Sequence, residues 1–202
     1  MPARDANPPR HDPQPAAGRG RPRDAALDDA LISAAEQQLR ELGYARMSLK
    51  SIADAAGTTV PSLRRRYADK AALATAVVDS LRIDPLTVPR VGPRDQALAV
   101  LENFNANLRR PNSMALLGTL LAEEHATPEL LQRFRARLSA PRRDALRQSL
   151  KSGISAGALP PHIDPDVAAN MLIGSFYARY VSDGSIPKSW PSKVLAQLWP
   201  EP

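Results

Sequence analysis

The chain has 202 residues, no cysteine and a formal net charge of +6. That composition excludes a disulfide framework, a thiolate metal site and a cysteine nucleophile, while 43% hydrophobic residues with few aromatics favour a helical core of leucine and alanine. Bulk charge does not single out a binding region, because 13 Lys and Arg stand against 10 Asp and Glu up to residue 82, and 14 against 11 beyond it.

Residues 1–23 are rich in proline, arginine and glycine and show no hydrophobic period, so a disordered basic arm is expected there. Such an arm is either a solvated tail or a nucleic-acid contact through Arg19, Arg21 and Arg23, since GRGRPR is similar to minor-groove tails. The opening residues lack the apolar core of a signal peptide, and no stretch approaches the roughly 20 apolar residues that span a bilayer. A cytoplasmic protein without a membrane partner is expected.

From Asp24 the pattern turns helical, with Leu27, Leu31, Ala35, Leu39 and Leu42 on one face and Gly43 at the position that ends the helix. Ser48 is placed to cap a second, short helix whose apolar face is Leu49, Ile52, Ala53 and Ala56, closed by Gly57. Thr59 caps a third, with Pro61 in the first turn where a missing N–H costs little. Asp69 caps a fourth that carries Leu73, Val77 and Leu81 inward. Three prolines and a glycine in IDPLTVPRVGP (83–93) then break the helical pattern, which sets a domain boundary.

Further helices are predicted over 97–108, 114–124, 128–138, 142–154, 165–181 and 192–199. Pro141 either separates two of them or kinks one long helix. No strand alternation and no internal repeat is present, so the fold is all-α: an N-terminal helix-turn-helix unit over 24–82 and a C-terminal helical unit over 94–202.

The turn Gly57–Thr59 between the second and third helices has the helix-turn-helix spacing used to enter a major groove. On the third helix Leu63 and Tyr67 face the core, while Pro61, Ser62 and Arg65 point outward. Arg65 suits a base edge, where a guanidinium pairs bidentately with guanine; Arg64 suits a phosphate; Arg66 suits a structural or surface role. Lys70 sits in the first turn of the fourth helix, against the macrodipole. It either extends into water at small cost or shares a phosphate with the helix N-terminus.

Residues 31–82 resemble the DNA-binding domain of TetR-type transcriptional regulators. The resemblance is carried by Gly43-Tyr44, Ser48-Leu49, Ile52-Ala53, Ala56-Gly57, Leu63, Tyr67, Lys70 and Ala72-Leu73, which run through four helices without a gap. It implies a homodimer that binds double-stranded operator DNA, usually as a repressor, and releases it when a small-molecule inducer enters the C-terminal domain. Phosphate contacts then fall on Ser48, Thr59, Arg64 and Lys70, and groove-facing positions on Pro61, Ser62 and Arg65. Val60, Arg64 and Met47 depart from the residues frequent in the family, which leaves the operator sequence open. Arg64 in place of a hydroxyl implies stronger salt sensitivity.

The 165–181 helix is apolar nearly all round, with one stripe at Val167, Met171, Gly174 and Ala178 and another at Ala169, Leu172, Phe176 and Tyr180. It is either a central helix of one subunit or, as the resemblance implies, a dimerisation helix that pairs together with residues 142–156. A ligand pocket is expected between the helices at 95–109, 113–124 and 165–181, lined by Phe104, Met114, Leu117, Leu121, Phe176 and Tyr180, with Asn103, Asn107 or His125 as polar groups. Only three histidines are present, so no metal site is expected. No cofactor or enzyme is expected either, since the sequence has no Gly-rich phosphate loop, no GxSxG and no HExxH. The alternative function is a helical small-molecule-binding or interaction protein whose helix-turn-helix no longer binds DNA.

Overall fold

The computed structural model describes residues 24–199, all of whose regular structure is helical. The basic arm expected at 1–23, with Arg19, Arg21 and Arg23, lies outside the described residues. The elements are α1 (Ala25–Glu41), α2 (Leu49–Ala55), α3 (Val60–Arg64), α4 (Lys70–Ser80), α5 (Pro93–Leu108), α6 (Ser113–Ala122), α7 (Pro128–Phe134), a π-helical segment (Arg135–Ser139), α8 (Ala140–Ser155), α9 (Pro165–Asp183) and α10 (Trp190–Leu198).

The N-terminal helices begin where short polar side chains can accept the orphan N–H groups of a first turn. Asp24 accepts from Leu27 N, Ser48 from Ser51 N, Thr59 from Ser62 N and Asp69 from Ala72 N. Gly43 and Gly57 both adopt positive φ, 78° and 66°, as the two turns require. Leu31, Ala35 and Leu39 of α1, Ile52 and Ala53 of α2, Leu63 of α3 and Leu73, Ala74, Val77 and Val78 of α4 are buried together. That core extends past the predicted boundary, since Leu116, Leu117 and Leu120 of α6 and Leu130, Leu131 and Phe134 of α7 join it.

A second core gathers α5, α8, α9 and α10 around Phe104 and Phe176, whose rings meet edge to face at 5.4 Å. Met114 and Tyr177 pack against both cores.

Pro141 neither ends nor isolates a helix: the chain stays helical from Pro128 to Ser155, through the π segment. Proline has no N–H for the carbonyl four residues back, and its ring crowds that carbonyl. The ladder widens just before it, where Ala140 N donates five residues back to the Arg135 carbonyl. The extra residue also aims Arg137 at the end of α4. Its guanidinium donates to the carbonyls of Val78 and Leu81, which have no intrahelical partner at a C-terminus.

The connection between α4 and α5 is held by a buried polar cluster. Arg142, 2% exposed, donates to Asp84 O at 2.7 Å, Asn103 Oδ1 at 2.8 Å and Leu138 O at 3.0 Å. Asn107 Oδ1 accepts from Asp84 N at 2.8 Å, and Arg110 pairs with the Asp84 carboxylate. Burial pulls the Arg142 pKa below the usual arginine value, with Asp84 opposing the shift.

Candidate nucleic-acid interface and ligand cavity

α2, the turn around Gly57 and α3 present one polar surface. α3 is only five residues long, but its bonding continues beyond Arg64, with Arg65 N donating to Pro61 O at 3.2 Å and Tyr67 N to Leu63 O at 2.9 Å. Leu63 is wholly buried and fixes the rotation of the helix. Thr59, Pro61, Arg64 and Arg65 are consequently exposed, and Ser62 and Ser48 half-buried.

The three consecutive arginines differ in their surroundings. Arg66 Nη1 reaches back to Asp28 Oδ1 of α1 at 2.9 Å, in a pair with both side chains largely covered. The guanidiniums of Arg64 and Arg65 have no hydrogen-bond or ion-pair partner among the described residues. Two guanidiniums of fixed charge thus project from one short helix with their donors unspent.

Lys70 is placed differently from a side chain reaching into water. Its Nζ donates to Tyr44 O at 2.8 Å and Ala45 O at 3.2 Å, and lies 4.4 Å from the centroid of the Tyr44 ring. The cation therefore ties the α1–α2 turn to the start of α4 and offsets its unfavourable place on the macrodipole. Gln38 adds to the same turn by accepting from Ser48 N at 3.0 Å, a support that a helical wheel does not reveal because it links positions ten apart.

Between α6, α7, the π segment and α9 lies a cavity of about 640 Å³, within the usual range for small-molecule sites. Met114, Leu117, Leu121 and Tyr180 line it, and no residue of α5 does. Phe104 and Phe176 do not: both are wholly buried in the second core, where their edge-to-face packing takes them out of reach. Asn103 and Asn107 serve the Asp84 cluster instead, and His125 is exposed away from the lining. Sequence reasoning missed Phe134, Ile173 and Tyr177, together with the polar lining residues Arg135, Ser139, Arg143 and Asn170. Tyr177 and Ile173 fall between the two stripes on α9; the π segment that turns Arg135 and Ser139 inward leaves no simple periodic mark.

The two α9 stripes separate by environment. Ala169, Leu172 and Phe176 are buried, whereas Val167 is 55% and Met171 70% exposed, with Gly174 and Ala178 on the same face. Among the described residues no His, Cys, Asp or Glu group could hold a metal ion, and no helix is long and apolar enough to cross a membrane.

Comparison with known proteins agrees with both halves of this geometry. The family model described as bacterial regulatory proteins, tetR family, matches residues 31–77, and that described as tetracyclin repressor-like, C-terminal domain, matches 93–198. The chain is 26% identical over 166 residues to the uncharacterized HTH-type transcriptional regulator YdeS of Bacillus subtilis, covering 82% of this chain and 84% of that one. It is 27% identical over 176 residues to the A-factor receptor protein of Streptomyces griseus, covering 84% of this chain but 60% of that longer protein. The fold is similar to that of MexZ, a repressor of Pseudomonas aeruginosa, with a TM-score of 0.71 at 20% identity over 89% of this chain and 98% of that one. Two matched segments, one spanning the helix-turn-helix and the other all the helices from α5 to α10, lead to one assignment: the chain is a transcriptional regulator of the tetR family.

Proposed function

We propose that the protein is a homodimeric repressor that binds a palindromic operator through α2 and α3 and leaves it when a small-molecule inducer occupies the cavity. Residues 24–82 form the DNA-binding unit, and the helices from residue 94 onward the dimerisation and ligand-binding unit. The observation that carries this is the pair Arg64 and Arg65, exposed and without partners on α3 while the adjacent Arg66 is paired. Arg65, with Pro61 and Ser62, faces the groove; Arg64 and the cap hydroxyls of Ser48 and Thr59 meet phosphates. Lys70 contributes by fixing the turn beside them and by adding positive charge near the backbone. The face of Val167, Met171, Gly174 and Ala178 supports pairing of α9 with its symmetry mate, and a DNA target supports a cytoplasmic location.

Binding to duplex DNA is expected to weaken steeply with salt, log K falling by ~0.9 per log unit of salt for each phosphate neutralised. Arg65→Ala is expected to lower discrimination between operator and random DNA by ~1–3 kcal/mol. Titration of both duplexes across a salt series checks this. No retention on DNA even at low salt would instead favour a ligand-binding protein with a degenerate helix-turn-helix.

A further inference from the structure

The charge of the cavity wall is one-sided. Among its lining residues the charged side chains are Arg135 and Arg143, and no carboxylate lines it. Their partners stand outside the wall: Arg135 Nη2 meets Glu124 Oε1 at 3.0 Å, and Arg143 Nη2 meets Asp166 Oδ1 at 3.2 Å. Arg143 Nε is also spent, on Asn170 Oδ1 at 2.9 Å, but neither bond uses Nη1. Both ion pairs are partly open to solvent, where such pairs contribute little, so a competing anion can share the guanidinium at small cost. Apart from Gly118, Ser139 and Asn170, the rest of the wall is Met, Leu, Ile, Val and aromatic surface, suited to an extended apolar body.

We propose that this cavity selects an amphiphile with an anionic head, the head docking on Arg143 with Asn170 beside it and the apolar body lying along α6 and α9. The inference rests on the cavity being the effector site. A guanidinium fork matches a carboxylate or phosphate bidentately, whereas a cationic amphiphile meets two like charges. Tyr177, Tyr180 and Phe134 offer ring faces that attract cations, so the two polarities make opposite predictions.

Decanoate, decanol and decyltrimethylammonium, titrated below their micellar concentrations into the full chain by calorimetry, separate these cases. Decanoate is expected to bind most tightly and the ammonium most weakly. Arg143→Gln is expected to weaken decanoate about tenfold, which corresponds to ~1.4 kcal/mol, and to leave decanol unchanged. Arg135→Gln, on the other side of the wall, provides a second reading should the first variant fold poorly. The proposal is overturned if decanoate does not bind, if the ammonium binds as well as decanoate, or if neither arginine variant changes the preference for the anion. DNA retention of the ligand-free protein, measured in parallel, tests the regulator function separately: retention with no anion preference removes only the ligand class.

Discussion

Tyr177 packs its ring against both hydrophobic cores, 5.9 Å from the ring of Phe104. Burial raises its pKa above the ordinary 10.0, with the Ser139 hydrogen bond pulling the other way. The folded protein therefore holds this proton more tightly than the unfolded chain. Below about pH 10 both states are protonated and the contribution to stability is complete; it is lost as pH climbs through the raised folded-state pKa. Stability measured by chemical denaturation is expected to fall more steeply above about pH 10 in the natural protein than in Tyr177→Phe. Equal slopes would show that the phenol ionises without penalty. Residue roles of this kind were only partly legible beforehand. Arg66 could be set apart from Arg64 and Arg65 by its place on the wheel, but its partner Asp28 lies 38 positions away. Lys70 was recognisable as misplaced on a helix dipole, yet the carbonyls of Tyr44 and Ala45 that satisfy it belong to a turn brought close only by folding.

At the scale of elements, caps and glycines carry most of the legible information, because Asp24, Ser48, Thr59, Asp69 and Asp164 act within three residues of themselves. The π segment was not legible. Proline announces a disturbance, but whether the helix breaks, kinks or widens depends on what α4 and the cavity demand of Arg137, Arg135 and Ser139. Close approach between elements is similarly hidden. Gly153 of α8 packs under the indole that follows α10, and a Cβ there would lie 2.8 Å from Trp199 Cζ2 and 2.9 Å from Cζ3. Trp199 is itself buried in the second core at 6% exposure, so the indole has little room to retreat. Gly153→Ala is expected to destabilise the fold by ~1–3 kcal/mol through overpacking, exceeding the helix-propensity gain of up to ~1 kcal/mol. Denaturant melts of Gly153→Ala alone and combined with Trp199→Ala check the cause. The penalty must disappear when the indole is absent, and an unchanged penalty in the double variant rules the clash out.

For the whole molecule, the four N-terminal helices do not form an isolated core. Leu116, Leu120, Leu131 and Phe134 complete it, and Arg137 holds the end of α4, so the DNA-facing helices share their support with the walls of the cavity. In the proposed function, this sharing is the route by which ligand occupancy reaches α4 and α3. The proposed dimer contact uses another face of α9, that of Val167, Met171, Gly174 and Ala178, where Val167 is 55% and Met171 70% exposed. Buried apolar area drives such pairing, and small residues let two helices approach closely. Gly174 offers a clean test, because a Cβ built there has no heavy atom within 4 Å in its own chain. Gly174→Leu starts from a Cβ that meets nothing in its subunit and gains helix propensity of up to ~1 kcal/mol, so the subunit is expected to keep its fold. In a dimer the same side chain lies in the contact stripe and holds the two α9 helices apart. Light scattering is expected to give a dimer mass for the natural protein and a monomer mass for Gly174→Leu, with helical content unchanged by circular dichroism. A dimer mass for the variant would move the interface away from the Val167–Ala178 face. In the proposed complex two linked subunits bind two half-sites, so loss of the dimer is expected to weaken operator binding far more than binding to a single half-site.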